Sequence, residues 1–288
     1  MTQRRINIWS LLIFGIFILS SVCYAQSEKA EVSSPSDPFY LFFNVDSVYA
    51  EPDWILQKQL GDYLTRLEKL KKRQKSDYQF LKQVFYKTHK KFLRKYDPSA
   101  TLPYTFETGT YGCLSGTALY ALIFRHFGFE YDIIETPSHV YLNVNLPDQQ
   151  VIIESTLPLE GFVTGKKKIK AATQQYASKS RKHTSIVAVS GINLAPGTPD
   201  YGKKIDLKEL SGLQYYNMSI YNMAEKNLEE AMVNAQKSLT LYPSIRTEKL
   251  MEIVINKILQ SKTLSKDQKA GILNNYVRQV KKKRLTQR

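Results

Sequence analysis

Three side chains that together could make a thiol nucleophile follow one another in a single stretch: Cys113, His139 and Glu154. A thiol attacks a carbonyl carbon as its thiolate, and an ordinary cysteine, with a pKa of about 8.5, is mostly protonated at neutral pH. An imidazole beside the sulfur can take its proton and later return it to a leaving group. A carboxylate on the far side of the ring fixes the tautomer and supports the cation. The residues around the cysteine, Thr110-Tyr111-Gly112-Cys113-Leu114-Ser115-Gly116, suit that work. Gly112 leaves room for backbone beside the sulfur, and the apolar run from Leu114 to Phe127, stopped by Gly128, predicts a buried helix with Cys113 at its start. The N-terminal end of a helix favours an anion and carries N–H groups without intrahelical acceptors. The Cys113 backbone is therefore one candidate oxyanion donor, and Tyr111 and Tyr104 are candidates for the second.

Of the four histidines, His139 is the candidate for the partner of the sulfur. His126 lies on the helix that Cys113 opens, roughly 20 Å along it at 1.5 Å per residue. His89 falls on the apolar side of an earlier helix and reads as a hydrogen-bonded core histidine, and His183 sits in a basic stretch with no evident carboxylate. His139 follows Pro137 and opens a strand that runs to Leu146; a second strand covers Val151 to Ser155, with Pro147 and Asp148 as the turn between them. That turn sets Leu146 against Gln149, Tyr141 against Glu154 and His139 against Thr156. His139 and Glu154 become diagonal neighbours on one face, and a slip of one residue would separate them.

The elements that must hold these residues follow from periodicity. From Pro52, Leu56, Leu60, Leu64, Leu67 and Leu70 recur at helical spacing, with Lys and Arg on the other face. Ser76 and Asp77 suit the start of a second helix, whose stripe is Phe80, Leu81, Val84, Phe85, Phe92 and Leu93 and which ends before Pro98. Gly109 to Gly112 reads as a turn and Tyr131 to Thr136 as a further strand. The aromatic run Phe39 to Phe43 is expected to pack on the domain, after a flexible polar lead-in, Gln26 to Asp37. Gly161 to Gly202, crowded with Lys166, Lys167, Lys168, Lys170, Lys179, Arg181 and Lys182, reads as a basic excursion with one strand at Ser185 to Val189. Helix returns from Leu207, and Lys281 to Arg284 is expected to be a disordered basic tail.

Residues 1–25 have the form of an export leader: Arg4 and Arg5, an apolar run from Ile8 to Ser20, and small residues at Val22 and Ala25 before the expected cleavage point. An exported chain, periplasmic or extracellular, with no membrane span after cleavage is the expectation. Cys113 would then be the only remaining cysteine, which excludes an intramolecular disulfide and marks a thiol worth following. A formal net charge of +15 favours acidic partners, an anionic polymer or an acidic protein face, over nucleic acid. No acidic cluster that would hold calcium is evident, and no cofactor is expected.

Gly-Cys opening a helix, His opening a strand, and acid-x-Thr on the next strand (Gly112-Cys113, His139, Glu154-Ser155-Thr156) resemble the transglutaminase-like superfamily of papain-like cysteine enzymes. The resemblance covers roughly residues 80–161. It implies an α+β fold with the nucleophile helix packed on an antiparallel sheet, Cys113 as nucleophile, His139 as general base and acid, and Glu154 as orienting acid. Two positions depart from the family: Glu154 where Asp is usual, and Tyr141 where a Trp commonly follows the histidine. Gln214 to Ser244 resembles one tetratricopeptide repeat, through Tyr215, Asn217, Met218, Ser219, Ala231, Ser238, Leu239, Leu241 and Pro243, with Glu248 to Leu259 as a capping helix. A single repeat cannot bury its own face and is expected to pack on the first domain. The expected organisation is a leader over 1–25, a transglutaminase-like domain over 26–205 with its core at about 76–161, tetratricopeptide-like helices over 206–262, and a helical end with the basic tail over 263–288. The functional expectation is a cysteine hydrolase or acyltransferase acting on a peptide or protein amide. The alternatives are a non-catalytic binding scaffold on the same fold and a plain binder of anionic polymers.

Overall fold

The structure is a computed structural model that describes residues 38–43, 53–136, 139–179 and 202–286. The leader expected at 1–25, the lead-in expected at 26–37, the strand expected at Ser185 to Val189 and His183 lie outside the described residues. Among the described residues no helix is long and apolar enough to cross a membrane.

The leucine row after Pro52 forms helix α1, Asp53–Lys71, whose Leu56, Leu60 and Leu67 are buried. Helix α2, Asp77–Phe92, starts where the cap residue predicts: the Gln79 N–H donates to Ser76 Oγ at 3.2 Å. Phe80, Leu81, Val84 and Phe85 on its inner face are wholly buried. The chain then departs from the expected plain turn. Strand β1, Lys95–Tyr96, a short helix α3, Leu102–Thr108, and strand β2, Thr110–Tyr111, precede the helix that Cys113 opens. β1 and β2 pair in parallel, Lys95 with Thr110 and Tyr96 with Tyr111. Gly109 ends α3 in the left-handed region at φ 74°, a conformation that glycine adopts without strain. Helix α4 is Cys113–His126, and Leu119, Tyr120, Ile123 and Phe124 on it are buried to 2 % exposure or less.

Five strands follow in one antiparallel sheet, in the order β6-β5-β4-β3-β7: β3 Glu130–Thr136, β4 His139–Asn145, β5 Gln150–Ile153, β6 Phe162–Thr164 and β7 Lys203–Ile205. The molecule is thus α+β, with this sheet and the small parallel pair. Alternation sorts the sheet into two faces. Ile133, Val140, Leu142, Val144, Val151 and Ile153 join the main core with α4, while Ile134, Tyr141 and Ile152 face the other way. Leu142 pairs with Ile153 and Asn143 with Ile152, and the turn closes through reciprocal Leu146 and Gln149 backbone bonds. This is the register the turn residues predict, and its continuation sets Tyr141 against Glu154.

The basic excursion is a correction. Part of it is folded, as β6 and as helix α5, Lys166–Lys179, because Ile169, Ala172 and Tyr176 form a row at helical spacing that covers the outer face of the sheet. The lysines on the rest of α5, Lys166, Lys167, Lys168 and Lys170, are exposed. Helices α6, Leu207–Ala224, α7, Leu228–Leu241, α8, Ile245–Gln260, and α9, Lys266–Thr286, complete the chain. The α6–α7 pair approaches closely at the small residues, where Ser219 Oγ donates to the Ala231 carbonyl at 2.7 Å and Ser238 Oγ to the Gly212 carbonyl at 2.8 Å. The helices also join the main core. Leu207, Leu210, Leu213 and Tyr242 are part of it, and Gln214 bridges the Leu102 N–H and the Phe42 carbonyl. Phe39, Phe42 and Phe43 are buried there as expected. The expected disordered tail is a second correction: the backbone is helical through Thr286.

Candidate active site

Cys113 stands at the first position of α4, and three features set its place. Gly112 caps the helix with extended backbone, and its N–H donates to Ser115 Oγ at 2.9 Å. A side chain at Gly112 would put its Cβ 2.9 Å from the Asp97 carbonyl oxygen and 3.2 Å from that of Pro98, so the absence of one lets the segment after β1 lie against the cap. At Gly116, a Cβ would lie 2.7 Å from both Cβ and Oγ of Ser155, so the first turn of α4 rests directly on the residue that follows Glu154. Helix and acid-bearing segment are thereby drawn together by a glycine contact.

Glu154 is wholly buried, and both of its carboxylate oxygens are hydrogen-bonded. Oε1 accepts from the Thr156 N–H at 2.8 Å and from Thr156 Oγ1 at 2.7 Å, while Oε2 binds His139 Nε2. A buried carboxylate is tolerated only when paired and hydrogen-bonded in this way. Its backbone is held as well: the Glu154 N–H donates to the Gly161 carbonyl at 2.8 Å, and a Cβ on Gly161 would collide with the Glu154 carbonyl.

His139 opens β4; its Nε2 binds Glu154 Oε2, and Cys113 lies close enough to help raise the ring's pKa. Since Nε2 is committed to the carboxylate, Nδ1 is the nitrogen left for the sulfur. Burial opposes charge on this ring, but the negative charge of Glu154, its hydrogen bond and the nearby Cys113 outweigh it, and the pKa is pushed up to about 10. The side chain remains 19 % exposed, so the ring can be reached from solvent. Tyr176 of α5 lies against it at a centroid distance of 5.7 Å, and Tyr141 against Tyr176 at 5.0 Å.

The other histidines stand apart from this set. His126 pairs with Glu68 at 2.9 Å. His89 is buried and donates from Nε2 to the Ser155 carbonyl at 2.7 Å; burial lowers its pKa, so the ring is neutral and acts as a clamp on the segment after Glu154. Of the oxyanion candidates, the Cys113 N–H belongs to the first turn of α4. Tyr111 is buried, its ring edge-on to His89 at 5.7 Å and to Tyr96 at 5.8 Å. Tyr104 stands on α3, 40 % exposed.

Two residues escaped sequence reasoning. Burial and the negative charges of Cys113 and Glu154 raise the Tyr96 pKa, so this phenol is an electrostatic neighbour of the site. The β1–β2 pairing that carries it there is two residues long, too short for any periodicity to announce. Tyr176 could have been found from the Ile169, Ala172, Tyr176 row inside the lysine-rich stretch. Along the same sheet face lies a cavity of about 400 Å³, bounded by Thr136, Tyr141, Asn143, Ile152 and Thr173, and every side chain that lines it is uncharged. Asn143 Oδ1 is buried there without a hydrogen-bond partner. Among the described residues no group of three or more His, Cys, Asp or Glu is arranged to hold a metal.

Comparison with models of protein families, with curated proteins and with solved structures finds no match to this chain.

Proposed function

We propose that the chain is an exported cysteine enzyme of the transglutaminase-like type, with a papain-like core, that cleaves or transfers an amide or acyl group through a thioester on Cys113. The observation that carries this reading is one imidazole bound to buried Glu154 and near enough to Cys113 for the sulfur to act on its charge. In the first step the Cys113 sulfur attacks the amide carbonyl carbon while its proton resides on His139. The oxyanion develops against the helix N-terminus, with the Cys113 N–H as donor. His139 gives its proton to the nitrogen as the C–N bond breaks, and an amine leaves. Water or a second amine then attacks the thioester, His139 takes the incoming proton, and the sulfur leaves with the acyl group released. The uncharged cavity along the sheet face that carries Tyr141 supports a neutral peptide or carboxamide group as the substrate part it receives. Export rests on the leader motif in residues 1–25.

The second reading, a non-catalytic scaffold, draws support from Cys113 being partly buried against the main core. Alkylation separates the two. With iodoacetamide, wild-type Cys113 is expected to react quickly at pH 6, and His139→Ala to slow it by about tenfold or more, since the thiolate is then without its cation. Glu154→Gln is expected to fall between them. A wild-type rate that simply climbs with pH like that of a free thiol, indifferent to both substitutions, would leave the scaffold reading in possession.

A further inference from the structure

An oxyanion formed by attack of Cys113 on a carbonyl is held best by more than one donor, and the Cys113 N–H is a single one. The short parallel pair before α4 brings a second candidate. β1 and β2 set Tyr96 opposite Tyr111, which stands two residues before Cys113. The chain after Tyr96 stays against the same place. The Asp97 N–H donates to the Tyr111 carbonyl at 2.8 Å, and the Asp97 and Pro98 carbonyls close on Gly112, the cap of α4. Tyr96 is thereby delivered to the end of α4 at which the oxyanion develops.

Three properties suit this phenol to the task. Its side chain can be reached: Tyr96 is 51 % exposed, whereas Tyr111 is 4 % exposed and forms a wall between Tyr96 and His89. Its hydroxyl is uncommitted, with no hydrogen-bond partner among the described residues. Its proton is secure, because partial burial and the negative charges of Cys113 and Glu154 raise its pKa. The action of both charges on Tyr96 also places the phenol near the two acidic members of the site. We propose that Tyr96 is a catalytic residue of the reaction at Cys113, its hydroxyl donating to the substrate's carbonyl oxygen as that oxygen becomes an oxyanion. This role rests on Cys113 being the nucleophile, as proposed above.

Two reactions of Cys113 in the full chain separate the roles, each followed by the mass of the modified Cys113 peptide. Iodoacetamide alkylates the sulfur at a saturated carbon, so no oxyanion forms. p-Nitrophenyl acetate acylates it. The sulfur bonds to the carbonyl carbon, and the electron pair of the C=O bond moves to oxygen. It then returns as nitrophenolate leaves with the pair of the broken C–O bond. Tyr96→Phe is expected to slow acylation by about tenfold or more and to change alkylation by less than about twofold. The retained alkylation rate shows that the site is still folded. Acylation untouched by Tyr96→Phe, both reactions slowed alike, or a selective loss of acylation in Tyr104→Phe rather than in Tyr96→Phe would each overturn the assignment. Failure of the nucleophile reading has a different signature, since both rates would then be indifferent to His139→Ala, and the role of Tyr96 would fall with it.

Discussion

Two histidines lie on either side of the Glu154 segment, and their protonation has opposite consequences. His139 holds its proton to a higher pH in the folded chain than the 6.5 of an ordinary imidazole, because Glu154 faces it. Its contribution to stability is therefore complete below about pH 6.5 and is lost as pH rises toward about 10. His89 has a lowered pKa because burial penalises its charge. Its contribution is complete above pH 6.5 and is lost as pH falls through its folded pKa, when the ring must charge in an apolar setting. Thermal denaturation across pH should therefore show a melting temperature that declines on both sides. His139→Gln should flatten the alkaline side between about pH 7 and 9.5, and His89→Gln the acid side. Should the alkaline decline persist unchanged in His139→Gln, the His139–Glu154 pair is not its source. At the same scale, Thr156→Val removes one of the two Thr156 donors to Glu154 Oε1, and a loss of about 1–2 kcal/mol is expected in urea denaturation.

Between elements, the contact that matters most is Gly116 against Ser155. A methyl at Gly116 would lie 2.7 Å from the Ser155 side chain, so Gly116→Ala must push α4 away from the segment carrying Glu154. The expected cost is about 1–3 kcal/mol, as for other overpacked contacts. The separation should also slow Cys113 alkylation, since the sulfur rides on α4 and the ring is bound by Glu154 in the segment parted from it. Adding Ser155→Gly removes the obstructing atoms and should recover part of both losses; strictly additive effects in that double-mutant cycle would deny the contact. Such contacts explain what was legible beforehand. The β4–β5 register followed from two turn residues, since a hairpin turn and a two-residue alternation leave no freedom, and this placed His139 near Glu154. The start of α2 followed from Ser76. The glycine contact, by contrast, joins residues far apart in the chain and has no local signature. The α5 roof was hidden by its lysines, which drew attention from the Ile169, Ala172, Tyr176 row. Tyr96 arrived through a strand pair too brief to carry a pattern.

Across the whole molecule, the C-terminal helices are tied to the sheet through one buried acid. Glu135 of β3, 6 % exposed, accepts from the Tyr242 hydroxyl at 2.5 Å and pairs with Arg246 at 2.7 Å. Lys203 of β7 adds a contact to the same tyrosine hydroxyl at 3.1 Å. Removing one member of a buried pair leaves the other charge without compensation. Glu135→Gln should therefore cost about 2–3 kcal/mol, somewhat below a fully buried pair because Arg246 keeps access to solvent. Its effect should not stay local. Leu207, Leu210 and Leu213 share the main core with Phe80 and Leu142, and the Tyr215 hydroxyl donates to the Phe43 carbonyl at 3.3 Å, so the helices cannot leave without opening that core. Unfolding of wild type and Glu135→Gln should accordingly be a single transition, coincident when followed by helical circular dichroism and by loss of hydrogen-exchange protection in α4. Two separated transitions, with much of the helical signal lost while the α4 amides stay protected, would mean that the helices after residue 206 are an appended domain rather than part of the body that supports the site.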